Sequence, residues 1–428
     1  MMIATGLGSL IGLMALAIPV AASLVLLGIV LTLAYSPLPV IRAIGEISWT
    51  TSNEFILVAV PLYVLMGEIL MRTGIAERMY AGIVEWVSWL PGGLMPANIG
   101  FCTMFAATSG SSVATAATIG TVAIPEIRKH RYSERLFLGS LAAGGTLGIL
   151  IPPSVNLILY GALTNTSIPQ LYLAGFLPGL LLSLLFVSII IVGCLIRPHW
   201  GGRKVETSWS RRIAALPDLI PPVIIFLVVI GTIYAGFATP TESAALGVVV
   251  SLGLAAARRR LTRTALIQSI EGCMRTTAMI MAILLAAYFL NLVIGIIGLT
   301  TSLTNLLADL GLTPNQTLFL VIVFYVVLGC FMETLSMMVA TIPIVTPVMI
   351  ALGFDPVWFG IMIILLIETA MITPPVGINL FVVQGLRPGG DIKDVIIGAA
   401  PFVLVLFLMV ALLTAFPDIA LYLPRVLG

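Results

Sequence analysis

The residues best suited to chemistry lie in two polar runs set inside apolar sequence. Ser109-Gly110-Ser111-Ser112, with Thr115, is followed by Gly144-Gly145-Thr146 and then by Pro152-Pro153-Ser154 and Asn156. Glu333-Thr334, with Ser336, is followed by Glu368-Thr369, by Thr373-Pro374-Pro375 and by Asn379. Hydroxyls, with carbonyls loosened by glycine and proline, offer a small hard cation an oxygen shell without burying a full counter-charge. Ser109, Gly110, Ser111, Ser112, Thr115, Gly144, Gly145 and Thr146 thus form one candidate ion site. Glu333, Thr334, Ser336, Glu368, Thr369 and Thr373 form a second. A carboxylate inside an apolar span costs about 2.5–3.5 kcal/mol on the insertion scale, so Glu368 is expected to face a wet cavity or a partner. Glu333 is expected to do so unless it sits at a solvated hairpin mouth. The proline pairs remove amide donors. An asparagine at the restarted half-helix can cap loosened backbone or donate to a carboxylate, and the positive helix end favours an anion. Ser112, Pro152, Pro153, Ser154, Asn156, Pro374, Pro375 and Asn379 are therefore candidate substrate contacts.

Each feature has a plainer explanation. Small residues and hydroxyls also serve helix contacts, and proline kinks are common in membrane helices. Recurrence argues for a site. Pro125 and Pro347 lie 347 − 125 = 222 residues apart, and Pro152 and Pro374 lie 374 − 152 = 222 apart. At that offset Ser111-Ser112 falls on Glu333-Thr334, and Ile149-Leu150-Ile151-Pro152-Pro153 on Met371-Ile372-Thr373-Pro374-Pro375. Gly175-Phe176-Leu177-Pro178 is echoed one residue further out by Gly398-Ala399-Ala400-Pro401. The order of tip, proline, broken helix and helix occurs twice, which reads as an internal repeat.

These runs need elements that hold irregular backbone at membrane depth. With 60% hydrophobic and 9% charged residues and a mean hydropathy of +1.17, the chain is an all-α polytopic membrane protein; soluble chains carry about a quarter charged residues. The net charge of +2 is no argument for nucleic acid, because the basic residues fall in short loops. Cys102, Cys194, Cys273 and Cys330 have no paired spacing, so neither disulfides nor a transition-metal site is indicated. No organic cofactor is expected. A span requires about 20 apolar residues, and crossings are predicted near 8–35, 54–71, 136–163, 170–196, 214–236, 240–257, 277–299, 356–385 and 395–424. The first is a helix running past Pro19 rather than a cleaved signal. Residues 75–90, mixing Glu77, Arg78 and Glu85 with Trp86 and Trp89, suit an interfacial helix, with 300–312 as counterpart.

Segments 94–125 and 315–349 carry polar tips at mid-length and read as re-entrant hairpins; 136–163 and 356–385 are helices broken at the proline pairs. The chain divides into helices 1–92, a first repeat 93–196, a second set of helices 197–312 and a second repeat 313–428. Basic clusters at Arg128–Arg135, Arg197–Arg212 (with Arg203, Lys204 and Arg211) and Arg258–Arg275 are each separated by two crossings. All three therefore share the cytoplasmic face. Arg387 and Lys393 join them if the second hairpin opens outward, which makes the repeats inverted. The amino terminus is then inside and the carboxyl terminus outside.

These motifs resemble the large membrane subunit of the tripartite ATP-independent periplasmic (TRAP) transporters, within the wider ion transporter superfamily. The resemblance covers nearly the whole chain. It rests on Pro91-Gly92-Gly93-Leu94 through Ala97-Asn98-Ile99, on Ser109-Gly110-Ser111-Ser112-Val113-Ala114-Thr115 and on Ala143-Gly144-Gly145-Thr146-Leu147-Gly148-Ile149-Leu150-Ile151-Pro152-Pro153-Ser154. It continues in Ala238-Thr239-Pro240-Thr241-Glu242-Ser243-Ala244-Ala245 and Ile372-Thr373-Pro374-Pro375-Val376-Gly377-Ile378-Asn379. It implies uptake of an organic acid, such as a C4-dicarboxylate or a sialic acid, driven by sodium rather than ATP. It also implies two partners, an extracytoplasmic substrate-binding protein and a small four-helix membrane subunit. It further implies a bacterial inner-membrane location and an elevator movement of both hairpins and both broken helices against a scaffold. No extra amino-terminal helices represent the small subunit here, so a separate chain is expected to supply it.

A stand-alone sodium- or proton-coupled di- or tricarboxylate carrier would share this architecture. An intramembrane enzyme is disfavoured: no paired Asp motif or Ser-His couple occurs in the spans, and His130 and His199 fall in basic loops. A channel is disfavoured by the matched interruptions. Glu54, Glu68 and Glu242 are expected to be interfacial or structural, Arg72 and Arg78 to snorkel or sit in the interface, and no buried arginine suggests itself as a carboxylate clamp.

Overall fold

The computed structural model describes residues 2–16, 18–203, 205, 207–329 and 332–428. Lys204 of the second basic cluster, and Cys330 and Phe331 of the second tip, lie outside the described residues. Among the described residues the protein is helical, without strands. The first half runs α1 (Met2–Ala15), α2 (Val20–Tyr35), α3 (Ile44–Ser52), α4 (Ala59–Arg72), α5 (Ile75–Val87), α6 (Leu94–Ser109), α7 (Ser112–His130), α8 (Glu134–Thr146), α9 (Val155–Thr164) and α10 (Ile168–Ile196). The second runs α11 (Trp209–Tyr234), α12 (Pro240–Ala257), α13 (Arg263–Ile297), α14 (Leu299–Asp309), α15 (Pro314–Gly329), α16 (Thr334–Ala351), α17 (Pro356–Met371), α18 (Ile378–Leu386), α19 (Ile392–Ala415) and α20 (Asp418–Leu427). Seven of the described helices are long and apolar enough to span a membrane: Phe55–Arg72, α10, α11, α12, α13, α16 and α19.

The first tip and both helix breaks fall where glycine and proline placed them. The first tip turns at Gly110, whose φ of +58° lies in the left-handed region that glycine enters without a Cβ penalty. Ser111 then caps α7 by accepting from the Ala114 amide. Glu333 caps α16 in the same way through the Ser336 amide. The helices that open each repeat's second part begin at matched positions: 334 − 112 = 222 for α16 and α7, and 356 − 134 = 222 for α17 and α8. α8 gives way to a short 3-10 turn over Leu147–Ile149 before α9 restarts, and α17 ends six residues before α18. The Pro152–Pro153 and Pro374–Pro375 bonds are both cis. Glu242 is structural as expected, closing a capping box with Thr239 at the start of α12.

Three sequence expectations are corrected. The crossing at 8–35 is two helices, interrupted before Pro19 and packed on each other. The hydroxyls of Thr5 and Tyr35 meet at 2.7 Å, so the segment returns to the face it started from. The break follows from proline's missing amide, and helices of 14 and 16 residues reach only about 21 and 24 Å, short of a full core. The crossing at 395–424 ends at Ala415; Phe416 leaves helical geometry and α20 turns to pack on α10. The crossing at 277–299 begins at Arg263, so Arg263, Glu271 and Arg275 sit on α13 rather than in a loop. At 35 residues α13 is about 52 Å long, more than a bilayer core needs.

Two packing groups emerge. α2 and α4 lie along α13, and α12 joins α4 to α11. In the other group α8 lies along α19, α6 and α7 flank α8, and α15 and α16 flank α17. Each restarted half-helix crosses to the other half of the chain: α18 packs on α7 and α8, and α9 packs on α16. The α8–α19 contact is closest at Gly139 and Gly398, where a Cβ on either would run into backbone of the opposing helix. At one end of that contact Arg387, only 8% exposed, donates to Glu134 at 2.8 Å and to Asp394 at 3.2 Å, while Arg135 donates to Asp394 at 2.9 Å. The Arg387 side chain thus clamps the protein's own carboxylates.

Candidate functional site

The first tip seats directly on the first break. Ser112 Oγ donates to the Gly145 carbonyl at 3.0 Å, Thr115 Oγ1 donates to the Ser111 carbonyl at 2.7 Å, and the Ser109 and Thr115 hydroxyls lie 2.9 Å apart. Thr146 Oγ1 donates to Ala143 at 2.8 Å within α8. Gly145 and Gly148 make this approach possible, since a Cβ on Gly145 would lie 2.7 Å from that of Ala116, and one on Gly148 2.8 Å from the Ser111 carbonyl oxygen. A hydroxyl that donates its proton still has lone pairs for a cation. Ser109, Ser111 and Thr115 are therefore linked within the first tip, and Ser112 joins that tip to Gly145 of the break.

The second group is looser. Glu333 accepts from the Ser336 amide and hydroxyl at 3.2 and 3.0 Å, Thr369 Oγ1 donates to Leu365, and Thr373 Oγ1 donates to Thr369 at 2.6 Å. Gly329 packs against Ala370, which brings the second tip onto the second break. Glu368 is fully buried, and neither of its oxygens has a hydrogen-bond partner among the described residues; the same holds for Thr334 Oγ1. Unpaired buried acceptors of this kind cost energy unless something fills them. Glu333→Ala is expected to lower the thermal midpoint through loss of the α16 cap, about 0.5–2 kcal/mol, measured by thermal unfolding of the purified protein.

Asn379 joins the second break to the first ion group: its Nδ2 donates to Ser112 Oγ at 3.0 Å and to the Ala142 carbonyl at 3.2 Å. Its Oδ1 is buried without a partner among the described residues, as is Asn156 Nδ2. Sequence spacing could not show this exchange, because it depends on α18 crossing to α7 and α8.

One cavity of about 300 Å³ gathers part of the predicted set. Ser109, Gly110, Ser111 and Ser112 line it from the first tip, Glu333 and Thr334 from the second, and Asn156 from the first break. Three helix starts therefore converge there, those of α7, α9 and α16, each presenting the positive end of its dipole. Thr115, Gly144, Gly145, Thr146, Ser336, Glu368, Thr369, Thr373 and Asn379 do not line this cavity, nor do Pro152, Pro153 and Ser154, which are buried. Pro374 and Pro375 are exposed and also outside it, so the two breaks are not equivalent as substrate contacts. α4 and α13 complete the wall with Gly67, Glu68, Thr276 and Met279. Glu68 was expected to be interfacial or structural; it pairs with Arg72 at 3.2 Å and also lines the cavity. The signal available was a carboxylate four residues before Arg72 near the end of an apolar helix, which does not distinguish the two.

Among the described residues no His, Cys, Asp and Glu cluster suits a transition metal. Cys102, Cys194 and Cys273 are buried and free, and Cys330 lies outside the described residues.

Comparison with known proteins agrees with this architecture. The family described as tripartite ATP-independent periplasmic transporter, DctM component, matches residues 7–419. The C4-dicarboxylate TRAP transporter large permease protein DctM of Vibrio cholerae is 32% identical over 97% of this chain and 96% of its own. The sialic acid TRAP transporter large permease protein SiaM of the same species is 34% identical over 87% of each. The crystal structure of the Alcanivorax borkumensis YdaH transporter shares the fold, with a TM-score of 0.59 at 15% identity over 95% of this chain and 97% of that one. Relatives of this kind are transport permeases, not enzymes. With its helical spans and a family match over nearly all its length, the chain belongs to the DctM component, or large permease, family of the tripartite ATP-independent periplasmic transporters.

Proposed function

We propose that this permease carries out sodium-coupled uptake of an organic acid, such as a C4-dicarboxylate or a sialic acid, across the inner membrane of a bacterium. An extracytoplasmic binding protein delivers the substrate, and a small four-helix membrane subunit completes the complex. Relatives named for C4-dicarboxylate and for sialic acid uptake support the substrate class. The observation that carries the reading is the central cavity. Three helix starts suit an anion there, yet the ionisable groups lining it are Glu68 and Glu333, both acidic. An organic anion in that space needs cations to accompany it, and the oxygen cluster at Ser109, Ser111, Ser112, Thr115 and Gly145 is built to hold one. The group around Glu368, Thr334 and Thr369 holds a second.

The two packing groups support an elevator. We assign 1–92 and 197–312 to the scaffold and 93–196 and 313–428 to the moving body, as two inverted repeats. Their matched helix starts and the reciprocal crossing of α9 and α18 favour that assignment. The pairing of Arg135 with the Arg387 network at one end of α8 and α19 fits a shared cytoplasmic face. The α1–α2 hairpin revises the amino terminus, which we place with Tyr35 on the outer side, alongside the carboxyl terminus.

The test is uptake of a panel of organic acids into proteoliposomes holding this chain with its small subunit. Uptake is expected only with an inward sodium gradient and the cognate binding protein. Sodium-driven uptake by this chain alone would indicate a stand-alone carrier, and uptake indifferent to sodium would remove the coupling mechanism.

A further inference from the structure

A second cavity, of about 430 Å³, adjoins the central one. It is lined by Glu68, Arg72, Gln268, Glu271, Gly272, Arg275 and Thr276, and it shares Glu68 and Thr276 with the central cavity. The two spaces thus meet at a neck formed by the end of α4 and the first half of α13. Glu68 sits in that neck, held by Arg72 at 3.2 Å and resting on Gly272, where a Cβ would come within 2.7 Å of its carboxylate. Arg275 is exposed and has no ion-pair partner among the described residues.

The charge arrangement of the two spaces differs. The central cavity offers an anion no cationic side chain, whereas the adjoining one sets two guanidiniums, Arg72 and Arg275, beside two carboxylates, Glu68 and Glu271. Once the coupling cations leave, a carboxylate in the central cavity faces Glu68 and Glu333 with only helix ends to hold it. The adjoining space then supplies fixed positive charge at Arg72 and Arg275. Guanidinium binds carboxylate through a planar fork, and Arg72 already holds one in Glu68. We propose that this vestibule is a transfer site for carboxylate substrates, in which Arg275 attracts the departing anion and the substrate carboxylate displaces Glu68 from Arg72. This rests on the organic-anion reading above and extends it to the route by which the substrate leaves the central cavity.

The experiment compares wild type with Arg72→Gln, Arg275→Gln and the double variant, using an acid that wild type is shown to transport. All are reconstituted with the small subunit and binding protein. Maximal uptake is expected to fall about tenfold in each single variant, the scale on which local charge changes passage of an ion, and further in the double. The binding-protein and sodium concentrations for half-maximal uptake stay unchanged. Lysine at either position restores most of the rate, because it keeps the charge. A double variant that transports at the wild-type maximum would overturn the proposal, as would lysine variants no faster than the glutamines. Arg275→Cys provides an independent readout on the full-length protein. Modification by a cationic thiol reagent should recover uptake and an anionic one should not, and equal effects of the two would also overturn it. Absence of uptake by wild type itself would count against the transport reading rather than against the vestibule.

Discussion

Gly398→Ala is expected to abolish accumulation of folded protein, or to leave a species that loses its monodisperse profile well below the wild-type melting temperature. A single methyl at this position would run into the Arg135 carbonyl oxygen and come within 3.2 Å of the Gly139 amide nitrogen. Both obstacles are backbone, so no side-chain rotation relieves them and α8 must move away from α19. Overpacking a tight contact costs typically about 1–3 kcal/mol, and here separation also loosens the Arg387, Glu134 and Asp394 network. In a bilayer, close packing of small residues takes over much of what the hydrophobic effect does between helices in water. Gly253→Ala on α12 is the control: nothing lies within 4 Å of its added Cβ, and its melting curve should match wild type. Equal stability of the two variants, measured by scanning fluorimetry and gel filtration, would mean that the α8–α19 crossing has no such tight contact.

Asn379→Leu is expected to reduce uptake by more than an order of magnitude while leaving a protein that still inserts. Leucine is close in volume, so the change tests hydrogen bonding more than packing. It removes one hydrogen bond from the Ala142 carbonyl and one from the Ser112 hydroxyl, each contributing roughly 0.5–1.5 kcal/mol. Ser112 belongs to the tip that seats on Gly145, so the loss falls on the geometry of the first ion group although Asn379 lies 379 − 112 = 267 residues away. The sodium concentration for half-maximal uptake is the discriminating measurement. It should rise in Asn379→Leu and return towards wild type in Asn379→Gln only if the longer amide still reaches Ser112. Unchanged sodium dependence with reduced stability would make Asn379 a packing residue and nothing more.

Much of this protein is legible before any coordinates, and the reason differs from feature to feature. Glu333 and Ser111 were both recognised as tip residues; their role as helix caps needs only the neighbouring amide three residues on. The breaks at Pro152-Pro153 and Pro374-Pro375 follow from missing amides and were located to within a few residues. The α1–α2 hairpin was missed because an apolar run of suitable total length looks like one crossing, and Pro19 alone does not say whether a helix kinks or folds back. The Thr5–Tyr35 contact decides that.

What the sequence determined by itself is therefore the local part: a helical membrane protein, two polar tips, two broken helices and the 222-residue echo between them. Each depends on hydrophobic run length or on the conformational limits of glycine and proline, which act over a few residues. Tertiary structure alone decided which surfaces meet. It took Asn379 to the first tip, left Pro374 and Pro375 exposed while burying Pro152 and Pro153, enclosed Arg387 among carboxylates, and set Glu68 in the neck between two cavities. Those outcomes come from helix packing across the two halves of the chain. An apolar face or a lone polar side chain carries no record of which distant helix it will be pressed against.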